Sequence, residues 1–77
     1  MEDEKFKLFL KSIGKNIRVL REKQGFTILE ISQKTGISEK YLCKIEEGKA
    51  YNLKLCTHLS RISFILKTDI SEILRLN

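Results

Sequence analysis

Lys40 and Lys44 stand four residues apart in the run Ser38-Glu39-Lys40-Tyr41-Leu42-Cys43-Lys44. On a helix that spacing puts both ammonium groups on one face. A lysine there can neutralise a phosphate or donate to guanine O6 and N7. Glu39 repels phosphate but can accept from cytosine N4; its other reading is a solvated carboxylate, or one paired with Lys40 or Lys44. Ser38 and Thr27 fit helix N-caps first, and their hydroxyls, beside free N–H groups, can also meet an anion. Lys49, just past Gly48, is a further phosphate candidate. These residue types in this order imply recognition of a polyanion, with double-stranded DNA as the partner that offers both phosphates and base edges.

Positioning them takes two short helices around a tight turn, and residues 27–48, TILEISQKTGISEKYLCKIEEG, supply both. Thr27 and Glu30 form a T-x-x-E capping box for the first. Ile28 and Ile31, with Leu29 beside them, are expected to face inward. That helix should end near Lys34 or Thr35, with Gly36 turning the chain at positive φ and Ile37 plugging the core. Ser38 then caps a helix over 39–47. Leu42 and Ile45 should be buried, leaving Glu39, Lys40, Cys43 and Lys44 outward. Gly48 ends the helix. This is the spacing of a helix-turn-helix, in which the second helix enters the major groove with its first residues deepest.

The flanks read as scaffold. A long first helix from about residue 4 to Lys23 carries Phe6, Phe9, Ile13, Ile17 and Leu20 at steps of three and four, and Gly25 follows it as a C-terminal cap. Asn52 can cap a fourth helix over roughly 53–66, with the stripe Leu55, Leu59, Ile62 and Leu66. Asp69 with Glu72 reads as a second capping box, opening a fifth helix that holds Ile70, Ile73 and Leu74. The expectation is an all-α fold, a single domain over 1–77 with a helical extension over 1–12.

Composition narrows the field. With 77 residues, one domain is expected, and with no Pro no position is barred from helix. Net charge is +5, and residues 5–49 hold eleven Lys/Arg against five Asp/Glu, so the excess lies where the helix-turn-helix lies. A solvated lysine-rich surface would give the same total. Cys43 and Cys56 make no CxxC pair, and the lone His58 completes no metal set; no metal or cofactor is expected. Cys43 reads as a small spacer facing the groove, or as a redox-sensitive thiol. No apolar run reaches a membrane span and the N-terminus is acidic, so a cytoplasmic protein without a membrane is expected. Catalysis is disfavoured: His58 has no catalytic spacing, and neither a nucleophile elbow nor a glycine-rich phosphate loop occurs.

Residues 13–74 resemble the lambda-repressor/Cro-like (Xre-type) DNA-binding domain. The matching features are IRVLREKQGFT before the second helix, the TGIS turn, and Ile45-Glu46-Glu47-Gly48. The length and the Tyr41-Leu42 pair look most like controller proteins of restriction–modification systems; phage repressors and antitoxins share the fold. The resemblance implies a compact five-helix domain. It also implies that Arg21 and Glu46 form a partly buried ion pair holding the first helix to the end of the third. It implies that Tyr41 reaches the DNA backbone or a base, where the residue alone would be read as packing. Three departures stand out. Ile28 replaces a glutamine that braces a phosphate contact in many members. The Gly48 to helix 4 connection, KAYN, lacks the usual Pro. Glu39 stands where controllers tend to carry Arg.

One such domain offers few contacts. Two recognition helices about 34 Å apart match successive major grooves, so a homodimer on a pseudo-palindrome is expected. Ile73, Leu74 and Leu76 are the candidate dimer residues, with Phe6 and Phe9 as others, although Ile73 fits the chain's own core as well. Regulation would come from dimer concentration, operator arrangement or contact with RNA polymerase. The competing reading is an antitoxin-type protein-binding module with autoregulatory DNA binding.

Overall fold

Thr27 shows how closely local chemistry sets the architecture. In the computed structural model, which describes residues 2–50 and 54–76, its hydroxyl accepts from the Glu30 N–H at 3.1 Å, and the Glu30 carboxylate accepts from the Thr27 N–H at 2.8 Å. Two N–H groups that the helix itself cannot satisfy are thereby satisfied, an arrangement worth about 1 kcal/mol. The five helices are α1 (Glu2–Lys23), α2 (Ile28–Thr35), α3 (Glu39–Glu46), α4 (Leu55–Ile65) and α5 (Ile70–Leu74). All regular structure among the described residues is helical, as the resemblance implies.

The α2–α3 turn is built from three neighbours. Gly36 takes φ +79, beyond the comfortable range of other residues. Thr35 is buried; its hydroxyl donates to the Ile31 carbonyl at 2.7 Å and accepts from the Ile37 N–H at 3.2 Å. Ile37 drops into the core beside Ile31, Leu42 and Ile45. Ser38 then caps α3 by accepting from the Tyr41 N–H at 3.1 Å.

Around that unit, α1 lends Leu10, Ile13 and Ile17, α4 lends Leu59 and Ile62, and α5 lends Ile73. The α1 stripe is narrower than its sequence pattern predicts. Phe9 and Leu20 are half-buried, and Phe6 is 49% exposed. Phe6 shares the face of Ile13 but borders an open groove beside Glu47 and Gly48. Leu29 is 49% exposed rather than inward: at 100° per residue it lies well off the arc shared by Ile28 and Ile31.

Two further expectations fail at the C-terminal helices. Asp69 occupies the N-cap of α5 but its carboxylate makes no cap hydrogen bond. The Glu72 N–H bonds the Asp69 backbone carbonyl at 3.0 Å, and the Glu72 carboxylate is drawn to Arg75 at 3.4 Å instead of reaching back. Residue 54 is the N-cap of α4, which begins two residues after the expected start; Asn52 lies outside the described residues.

Tertiary hydrogen bonds lock the middle and the C-terminal end of α1. Asn16 donates to the Ile73 and Arg75 carbonyls at 2.8 and 2.7 Å, and Ser12 donates to the Arg75 carbonyl at 2.9 Å. Gln24 donates to the Leu66 carbonyl at the end of α4, at 2.7 Å. Ile73, 0% exposed, sits under this clasp. It is therefore a core residue with no surface to offer a second chain, which removes it from the candidate dimer set; Leu74 and Leu76 remain exposed.

Candidate nucleic-acid interface

The outward face of α3 follows from its inward one. Leu42 and Ile45 are 1% and 2% exposed, which fixes the helix rotation and turns Glu39, Lys40, Cys43 and Lys44 to solvent. Among the described residues Glu39, Lys40 and Lys44 form no ion pair. The alternative in which Glu39 is spent on Lys40 or Lys44 is thus not the arrangement seen. Thr27, Ser38 and Lys49 are also exposed, and the Lys49 ammonium lies 3.6 Å from the Glu47 carboxylate. Chemically the face can donate through two lysines, accept through one carboxylate, and offer the free N–H groups at the starts of α2 and α3.

Tyr41 departs from its expected role. Its ring packs edge-on to His58, centroids 5.0 Å apart and 63° between planes. The Tyr41 hydroxyl and His58 Nδ1 are buried without a hydrogen-bond partner among the described residues. A buried hydroxyl cannot meet a phosphate, so in this conformation Tyr41 braces α3 against α4. Burial pushes the His58 pKa below its ordinary value, and the charges of Arg61 and Lys54 add to that shift.

Arg21 orients α3 from behind. Its Nε and Nη2 grip the two Glu46 carboxylate oxygens at 2.7 and 3.2 Å, while Nη1 donates to the Phe26 carbonyl at 2.8 Å. The side chains are 13% and 11% exposed. The hydrogen bonds that Arg21 donates to Glu46 raise the Arg21 pKa, outweighing the opposing effect of burial. One guanidinium thus ties the end of α1, the α1–α2 turn and the end of α3.

Two glycines set how closely α1 approaches α3: Gly48, read from the sequence only as a helix end, and Gly14, which the sequence reading did not use. A Cβ on Gly14 would stand 2.4 Å from both the Ile45 and Glu46 carbonyl oxygens. A Cβ on Gly48 would stand 2.8 Å from Lys11 Cα. An isolated glycine inside a helical pattern is the sequence signal that points to such a contact. Thr35 was missed as well, since a threonine near a helix end has many ordinary explanations.

Comparison with known proteins agrees with this geometry. Residues 14–77 match the family model for the helix-turn-helix domain. Over 61 residues, 79% of this chain and 40% of the relative, the sequence is 33% identical to the HTH-type transcriptional regulator SlrR of Bacillus subtilis (strain 168). Over 62 residues, 80% of this chain and 55% of the relative, it is 27% identical to the HTH-type transcriptional regulator SinR of the same organism. The chain spans about half the length of these relatives or less. Among solved structures, the restriction-modification controller protein C.AhdI from Aeromonas hydrophila superposes with a TM-score of 0.73 at 20% identity, covering 83% of this chain and 94% of that one. That likeness is one of fold. No helix among the described residues is long and apolar enough to cross a membrane. With the family match spanning its turn, its capped helices and its scaffold, the chain belongs to the helix-turn-helix domain family.

Proposed function

We propose that this protein binds double-stranded DNA sequence-specifically and regulates transcription, acting as a homodimer on a pseudo-palindromic operator through α3. The observation that carries this reading is the solvent face of α3, where Lys40 and Lys44 point outward unpaired beside Glu39. The relatives SlrR and SinR are named as transcriptional regulators, which supports the same reading. Lys40 and Lys44 read bases, Glu39 discriminates by accepting from cytosine, and Thr27, Ser38 and Lys49 hold phosphates. Leu74 and Leu76 remain as apolar surface for the second chain, and any action on RNA polymerase would follow from where the operator places the dimer. Cys43 is a spacer on that face.

Selection from a random duplex pool with the purified protein tests the reading: a two-fold-related site should be enriched. On that site Lys44→Ala should cost about 1–3 kcal/mol and relax preference at one base pair, whereas Lys49→Ala should weaken all sequences alike. Both are read by titration of matched and mismatched duplexes. Enrichment of no site, or Lys40/Lys44 double substitution leaving affinity unchanged, refutes the proposal.

A further inference from the structure

We propose that Lys7 and Lys11 of α1 join Lys49 in gripping DNA phosphates just outside the stretch contacted by α3. This rests on the DNA-binding reading above and extends its footprint. Gly48 packs directly on the backbone of Lys11: its missing Cβ leaves room where Lys11 Cα and N would otherwise be 2.8 and 2.9 Å away. That approach sets Lys11 against the residue that precedes Lys49 in the chain. Lys7, one helical turn earlier, and Lys11, Glu47 and Lys49 line a groove of about 680 Å³.

The charge balance of the groove fits an anion. All three lysines are exposed. Among the groove-lining residues the carboxylate is Glu47, at 3.6 Å from Lys49, so it offsets one of the three ammonium groups; among the described residues Lys7 and Lys11 form no ion pair. Residues before 14 lie outside the family match. The two lysines are mounted on the continuous helix α1 rather than on a loose arm. The helix is anchored by Leu10, Ile13 and Ile17 in the core. Because Lys49 directly follows the helix that faces the bases, the phosphates within reach of its neighbours belong to the flank of the site. Such contacts add affinity without choosing sequence.

The test uses the full chain and the duplex selected from the random pool, cut with long and with minimal flanks. Affinity is measured against salt. Lys7→Gln/Lys11→Gln should lower the slope of log affinity on log salt by about 1.8 per bound chain. It should also remove the advantage of the long-flank duplex while leaving the selected sequence unchanged. Lys7→Arg/Lys11→Arg should restore both. The charge-matched control is Lys34→Gln/Arg61→Gln, on the separate groove between α2 and α4, which should leave the flank dependence intact. If the two double variants change slope and flank dependence equally, the effect is general electrostatics and the proposal is overturned. The same holds if Lys7→Gln/Lys11→Gln changes neither while the wild type still binds its site. Failure of the wild type to bind any duplex refutes the DNA-binding reading itself, and this one with it.

Discussion

Gly14→Ala should unfold this domain far more readily, although the substitution improves helix propensity. Alanine in a helix interior is favoured over glycine by roughly 0.5–1 kcal/mol. A survey of propensity alone would therefore predict a more stable protein. The added methyl, however, meets two backbone carbonyl oxygens at 2.4 Å. Those carbonyls belong to α3 residues whose side chains are core and ion pair, so they cannot swing aside as a flexible side chain would. The α1–α3 packing must open, and the expected net loss is about 3 kcal/mol, the upper part of the range for overpacking. For a domain of this size that lowers Tm by roughly 12–24 °C. Thermal unfolding followed by circular dichroism decides the matter by sign: a raised Tm would mean that α1 and α3 can separate at no cost.

Arg21→Ala should be the other severe change. It leaves the Glu46 carboxylate, 11% exposed, without its bidentate partner and the Phe26 carbonyl without its donor. Removing one member of such a pair costs about 3 kcal/mol. Arg21→Lys should recover little, because one ammonium cannot reproduce the fork that serves both Glu46 oxygens and Phe26 together. Urea unfolding of Arg21→Ala, Glu46→Ala and the double variant separates the pairwise contribution from the rest. Additive losses would show that the two side chains act independently and that α3 is oriented by packing alone.

The parts of this structure that could be read directly from the sequence are those whose partners lie within one turn. Thr27 with Glu30, the Ser38 cap, Gly36, and the Leu42/Ile45 spacing each involve residues at most four apart, so local chemistry decides them. Where the reading failed, a distant residue had intervened. The Tyr41 hydroxyl is buried because His58 packs against its ring. Ile73 is enclosed because Asn16 and Ser12 reach across to the carbonyls around it. Asp69 is the exception, since its capping partner Glu72 turns to Arg75 only three residues on. Gly14 was visible as an oddity in a helical run, but the carbonyls that require it lie on another helix. Of the interface, the outward phase of Lys40 and Lys44 could be read from helical periodicity, whereas the approach of Lys11 to Lys49 depends on the tertiary packing at Gly48.

The clasp of Ser12 and Asn16 on Ile73 and Arg75 also has a consequence for synthesis. Asn16 and Ile73 are 57 positions apart, and at about 5–20 residues per second the later one is made roughly 3–11 s after the earlier. During that interval Ile13 and Ile17 have no Ile73 to close over them, and five-residue α5 is too short to form alone. The side of α1 that carries Ser12 and Asn16 is therefore closed only once Ile73 and Arg75 have been made, after α1 has already had its α3 partner for some seconds.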